Sequence, residues 1–301
     1  MSLEFELYEE KRRKGRRLSF FKGASVTLLI GAITLFIWNR DIVSYPHIAM
    51  YQVLGEIYDD SDRDLILSKI AADENVHGLI VKINSPGGTV VGAEALYQSL
   101  QNVSKVKPVV VSIGEVGASA AYLAALAGDK IFARGNSLVG SIGVIVQYPD
   151  LSRLADIMGI SVKVVRSGEA KGGTNLLQPI NEKVIKNQEL LVNDSFVWFK
   201  NLVSERRNLT GSALDKVSKG ELFTGRMALK LGLVDSIGSP EQALEYLINQ
   251  GPIFKDLGVK DWSLEKQSNS FWNDIISFGR DLSVRSKLKF LQSPRLFSIV
   301  S

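Results

Sequence analysis

The sequence predicts an α/β protein with parallel sheet layers and flanking helices, preceded by one N-terminal transmembrane helix. Three observations lead there. Short β-branched runs alternate with helical periodicity along the body, the composition is that of a folded chain, and one long apolar run stands near the N-terminus. Of 301 residues, 45% are hydrophobic and 23% charged, with mean hydropathy +0.08, which excludes a disordered or collagen-like chain. That length suits one large domain or two modest ones.

The apolar run comes first in the chain. Residues 20–38 (FFKGASVTLLIGAITLFIW) carry one charge, and at about 1.5 Å per residue they reach about 28 Å as a helix, enough for a hydrocarbon core of about 30 Å. Lys22 can snorkel at one edge, while Trp38 and Tyr45 suit the opposite interface. Residues 1–19 are basic (Lys11, Arg12, Arg13, Lys14, Arg16, Arg17), which the positive-inside rule places in the cytoplasm. No small-x-small cleavage site follows in NRDIVSYPHIAM, so the run reads as a retained signal anchor with the body outside.

In the body, GLIVKI (Gly78–Ile83), VVVSI (Val109–Ile113), KIFA (Lys130–Ala133) and VKVV (Val162–Val165) read as buried strands bounded by turn residues. Helical patterns lie between them at 91–102, 119–127 and 151–158. The alternating order implies parallel α/β layers. One long helix is expected over 181–207, another after the Thr224-Gly225 turn, and a third from Pro240. The expected organisation is therefore a 1–19 cytoplasmic segment, a 20–38 anchor, a 39–250 folded domain and a 251–301 tail. The tail mixes aromatic and basic residues and suits either an amphipathic contact or a solvated end.

Composition removes several chemistries. With no cysteine, disulfides, thiolate metal sites and cysteine nucleophiles are excluded. His47 and His77 are the two histidines, and neither has an Asp or Glu in a convincing orienting position, so a Ser-His-Asp triad is a poor fit. The net charge of +4 comes from the ends: residues 1–22 hold seven Lys/Arg against four Glu, and residues 251–301 hold eight against five Asp/Glu. The middle is about two units acidic, which argues against a nucleic-acid groove.

Four segments can carry chemistry. NSPGG (Asn84–Gly88) joins a strand to a helix, where two glycines let backbone N–H groups face an anion; it is also an ordinary turn composition. Ser119 opens the apolar helix in GEVGASAAYLAALAG, as a nucleophile would at a positive helix end, or as a small residue would for close packing. Ser141 lies in the glycine-flanked turn LVGSIGVI. Lys171 lies in the glycine-rich SGEAKGGTN; a lysine acting as general base must be neutral, and lowering an amine from about 10.4 to about 7–8 takes about 3–5 kcal/mol of differential desolvation. A solvated surface charge is the alternative, and a carboxylate at Glu169 turned inward would favour the ammonium.

In order and spacing, NSPGG, GASAAY, GSIGVI, SGEAK and FTGRMALKLGLVDSIG resemble the signal peptide peptidase A (protease IV) family over about Gly78–Gly238. The resemblance implies a Clp protease/crotonase-like fold and a membrane-anchored serine peptidase with a Ser-Lys dyad. It assigns Ser119 as nucleophile, Lys171 as general base, Ser141 as the residue orienting the lysine, and the Gly88 N–H, with the Ser119 backbone, as oxyanion donors. It implies no cofactor or metal, hydrophobic peptide substrates such as signal-peptide remnants, and a homo-oligomer with active sites at subunit boundaries. It also places the chain in a bacterial inner membrane with its catalytic domain on the extracytoplasmic side. The family's Ser-Gly-Gly-Tyr is here Ser119-Ala120-Ala121-Tyr122, and two added methyls could narrow the approach to the nucleophile. A crotonase-like acyl-thioester-binding protein and a non-catalytic membrane scaffold are the alternatives the same fold allows.

Overall fold

The chain divides into two units, Met1–Tyr45 and Pro46–Ser301. The computed structural model describes residues 22–23, 25–31, 45–179, 181–263 and 297–299. In the first unit, residues 22–23 and 25–31 are helical. The remainder of the 20–38 span and the basic stretch 1–19 lie outside the described residues, among which no helix is long and apolar enough to cross a membrane.

The second unit repeats one construction. Strand β1 (His47–Leu54) passes through helix α1 (Ser61–Ala72) to a parallel neighbour β2 (Val76–Ser85). After the short β3 (Gly87–Thr89), helix α2 (Val90–Ser104) returns the chain to β4 (Val109–Ala118), parallel to β2. Helix α3 (Ala120–Ala125) then leads to β5 (Lys130–Ala133), parallel to β4. The first two crossovers begin at a side-chain cap: Asp60 accepts from the Asp62 and Arg63 N–H groups, and Thr89 from the Gly92 N–H.

The far edge of β4 is shared. Its first half pairs with β5, and its last residues, Val116–Ala118, pair with β6 (Leu138–Gly140), which in turn pairs antiparallel with β7 (Leu222–Thr224). β8 (Ser236–Ile237) extends β5, and β9 (Gly258–Asp261) extends β1. The sheet is thus mostly parallel. The remaining helices are α4 (Ser152–Ile157), α5 (Glu182–Arg207), α6 (Gly211–Val217), α7 (Gly225–Lys230) and α8 (Pro240–Ile248).

Alternation along the strands sends side chains to two cores. Leu79, Val81 and Ile83 with Val109, Val111 and Ile113 pack under α1–α3. Ile48, Ile80, Val110 and Phe132 pack under Ala243 and Leu247 of α8. Expected elements at 78–83, 91–102, 109–113, 119–127, 130–133, 151–158 and 181–207 are present with shifted ends. The strand expected at 162–165 is not: this segment is irregular, and Val165 is fully exposed. A β-branched run without a neighbouring strand has no ladder to join, and propensity alone does not hold it.

Both histidines stand at the N-terminal ends of their strands, while Ser119 follows the C-terminal end of β4. A strand of this length separates them by roughly 30 Å. His47 is structural: it is buried and stacked on Trp262, whose Nε1–H donates to His47 Nε2 at 3.0 Å.

Carboxylates tie the ends of the sheet. Asp261 Oδ2 accepts from Gln52 Nε2 at 2.6 Å and Oδ1 from the Ser263 N–H at 2.9 Å. Burial alone would raise the Asp261 carboxyl, but these bonds and nearby Lys82 hold it below its ordinary value. Asp73 is lowered in the same way, against its burial, by Asn75, His47 and Lys107. A depressed folded pKa adds stability above the unfolded value, and that contribution vanishes as pH falls through the folded value. The urea midpoint, followed by circular dichroism, is therefore expected to drop below about pH 4, and Asp261→Asn to make that drop shallower. An unchanged slope in the variant would show that Asp261 does not contribute.

Candidate active site

The site is built where two strands stop. Ser85 of β2 pairs with Gly117 of β4 across a register shift, so NSPGG and GAS leave the sheet side by side. Asn84 fastens the two turns, its Oδ1 accepting from the Glu115 and Val116 N–H groups at 3.1 Å each.

Ser119 sits at the elbow between β4 and α3 with φ 58° and ψ −121°. Side chains rarely enter this region, which glycine occupies readily, and holding one there takes of order 1–3 kcal/mol. Two backbone bonds fix it: the Ser119 N–H donates to the Gly140 carbonyl at 2.8 Å, and its carbonyl accepts from the Leu123 N–H at 2.9 Å. Ser119 is 1% exposed. The next turn is shaped in the same manner, for Gly140 has φ 104° and Ser141 φ 50°, and the Ser141 N–H donates to the Glu221 carbonyl at 2.8 Å. β6 thus brings Ser141 next to Ser119.

Gly88 lies in β3, bridged in parallel to Ile57. The Ile57 N–H donates to the Gly87 carbonyl and the Thr89 N–H to the Ile57 carbonyl, both at 2.8 Å. Alternation therefore turns the N–H and C=O of Gly88 to the opposite edge of β3. A Cβ at Gly88 would stand 2.0 Å from the Ile57 oxygen, so the bridge admits only glycine. Residues Phe297–Ile299 form β10, which pairs antiparallel along β3 with Ser298 opposite Gly88. Of the expected tail, this short strand and the residues up to 263 are described.

Two expectations about the nucleophile are refined by the geometry. The Ser119 N–H, expected as an oxyanion donor, is engaged by Gly140. The N–H groups of the following helical turn, beginning at Ala120, are the ones without intrahelical acceptors, and the motif alone gave no means of choosing between them. The Ala120 and Ala121 methyls are fully buried in the main core, not projected over the serine. Tyr122, also fully buried, donates its hydroxyl to the Leu233 carbonyl at 2.8 Å, and burial raises its pKa.

Lys171 is not part of this cluster. It is exposed on the 166–175 loop, where its own N–H donates to the Gly168 carbonyl at 3.1 Å. Glu169 turns to Lys183, forming an exposed ion pair with it. The structure thus brings Ser119, Ser141 and Gly88 together and leaves Lys171 facing solvent.

Ser119→Gly is expected to raise the unfolding free energy by about 1 kcal/mol, because glycine relieves the elbow. Ser119→Ala, which keeps Cβ, should not. Gly88→Ala should lower the thermal midpoint through its clash with Ile57. If Ser119→Gly melts no higher than Ser119→Ala in calorimetry, the elbow stores no strain.

The family profile of peptidase family S49 matches residues 101–250, and that of the Clp protease matches residues 49–139. A protein of Synechocystis sp. named as an inferred protease is 33% identical over 214 residues, covering 70% of this chain and 76% of that protein. An Enterococcus faecium protein named as an inferred signal peptide peptidase SppA is 28% identical over 246 residues, covering 74% and 72%. Protease 4 of Haemophilus influenzae is 32% identical over 231 residues, covering 72% of this chain and 37% of that longer protein. By these matches this chain belongs to peptidase family S49, the signal peptide peptidase A (protease IV) family, and its mostly parallel sheet fits a Clp protease-like fold.

Proposed function

We propose that the chain is a membrane-anchored serine endopeptidase in which Ser119 attacks a peptide carbonyl and Lys171, reached from a neighbouring copy, is the general base. The strained conformation of Ser119 beside Gly88 and Ser141 is the observation that carries this reading. Strain of that kind persists where the surrounding structure imposes it, and it clusters at reacting groups.

The steps balance without a cofactor. A neutral lysine amine takes the Ser119 Oγ proton as Oγ bonds to the carbonyl carbon, and the Gly88 N–H meets the oxyanion. The lysine returns that proton to the departing amine. Water, deprotonated by the same amine, then releases the acyl group and Ser119. Ser141 orients the lysine.

Three further features support the reading. The edge of β3 away from Ile57 pairs with residues 297–299 of this chain, and a peptide that took their place would lie as an added strand past Gly88. The surface around the lysine loop exposes apolar side chains among its charges: Leu154, Ile157, Met158, Val165 and Leu190 are each more than half exposed. A second copy packed there would cover them and desolvate the amine. The apolar stretch 20–38 with its basic flank suits an anchor in a bacterial inner membrane, with the amino terminus in the cytoplasm and the peptidase outside. Hydrophobic peptides, including signal-peptide remnants, are then the substrates nearest the site.

Neither Ser119→Ala nor Lys171→Ala should cleave an unstructured protein or apolar fluorogenic peptides. Co-assembled in equal amounts, the two variants should recover about a quarter of wild-type activity, since a random mixture pairs an intact serine with an intact lysine at about one boundary in four. A mixture that stays inert rules out a shared site. Full activity in either variant alone rules out the dyad.

A further inference from the structure

The sheet face under α8 changes character part-way along its strands. Where α8 covers it, the face is Ile48, Ile80, Val110 and Phe132. Further towards the C-terminal ends of the strands, the same face presents Gln52, Lys82, Ser112 and Arg134. Gln52 is in register with Lys82, Lys82 with Ser112, and Arg134 lies two residues past Phe132, the partner of Ser112. A cavity of about 480 Å³ opens over this row, closed on its other sides by Leu54, Ile83, Asn84, Gly114, Glu115 and Pro240. The C-terminal ends of parallel strands are where α/β sheets take ligands.

One atom in the cavity lacks what a buried polar atom needs. Ser112 is 2% exposed, and its hydroxyl has no hydrogen-bond partner among the described residues. An unpaired buried hydroxyl destabilises the fold unless a bound group completes it. The neighbouring groups limit what that partner is. Lys82 and Arg134 are cations, and Asn84, its Oδ1 already accepting twice, keeps its amide donors. Glu115 is the one carboxylate in the lining. Asp261 and Glu241, which also feel Lys82, already accept bonds from Gln52 and Ser263, and from Ser239, respectively. Leu54 and Pro240 supply an apolar wall.

We infer that this cavity binds a small carboxylate carried on an apolar stem, the chemistry of the free C-terminal end of a peptide. The carboxylate bridges Lys82 and Arg134 and accepts from the Ser112 hydroxyl, while the stem lies on Leu54 and Pro240. The site goes beyond the peptidase reading and does not require Ser119 to be the nucleophile. Its floor is nonetheless made by β2 and β4, whose ends carry Gly88 and Ser119.

The test uses the full-length chain in detergent with Ser119→Ala, so that turnover plays no part. N-acetyl-alanyl-leucine is titrated by calorimetry against its C-terminal amide. Saturable binding of the acid is expected, weaker by about tenfold or more for the amide and in Lys82→Met, because charge-assisted hydrogen bonds are lost. Ser112→Ala should also weaken binding yet melt no lower than its parent, since the hydroxyl it removes is unpaired in the free protein. No saturable binding, equal binding of acid and amide, or undiminished binding in Lys82→Met overturns the proposal. Inorganic phosphate that binds as tightly as the dipeptide overturns the apolar stem.

Discussion

The hydrogen bond from the Ser119 N–H to the Gly140 carbonyl is the constraint around which the site is organised. It exists because β4 changes partners, leaving β5 after Ile113 and meeting β6 at Val116. Once Ala118 is held against Gly140, the chain must turn into α3 within one residue, and that residue takes the left-handed conformation. The side chain is thereby presented at the elbow while the backbone N–H points back into the sheet. A serine in an unconstrained helix start would relax to ordinary dihedrals, with its hydroxyl capping the first turn. Here it makes no such cap.

What opposes relaxation is burial. Every residue from Ala120 to Ala127 is 2% exposed or less, and the Tyr122 hydroxyl is anchored to Leu233 far along the chain. Shifting the elbow would move that whole helix against its core, disturbing many close-packed contacts at once. Gly88 is locked from the other side. Its strand cannot retreat, because Ile57 bonds to Gly87 and Thr89 on either side of it. Each of the two segments thus has its own anchor, and Asn84 and the Ser85–Gly117 pair tie them together at the site. Pre-organised donors of this kind need no rearrangement when charge develops.

Much of this was legible in the sequence. β-branched runs gave β2, β4 and β5 because a parallel sheet buries both faces, and apolarity alone reports that environment. The same signal misled at 162–165, where nothing pairs with the run. β1 went unread: HIAMYQVL interleaves polar residues because its upper end, at Gln52, enters the polar cavity. Helix α1 was also missed, since Leu65, Ile66 and Leu67 sit as a block and not as a stripe. At the site, the glycines and serines were visible as motifs. The engagement of the Ser119 N–H by Gly140 was not, because it depends on β6 pairing with a strand that precedes it in another register. Nor can any motif tell which way Glu169 points; its turn towards Lys183 is a matter of the α5 position.

The separation of Lys171 from Ser119 follows from where the chain places its apolar surface. Among the described residues from Leu151 to Leu191, Ala155 and Val184 are the buried hydrophobic ones, while Leu154, Ile157, Met158, Val165 and Leu190 face outward. Such a segment gains little by folding on its own chain and much by being covered. An amine within it stays a hydrated ammonium until that covering occurs, because a neutral lysine requires removal of water. Under the proposed reading, subunit assembly and generation of the base are therefore one event. In an isolated copy Lys171 would stay a hydrated ammonium and could not serve as the base for Ser119. Under that reading, the apolar residues exposed on the single chain are the surface that a second copy would cover.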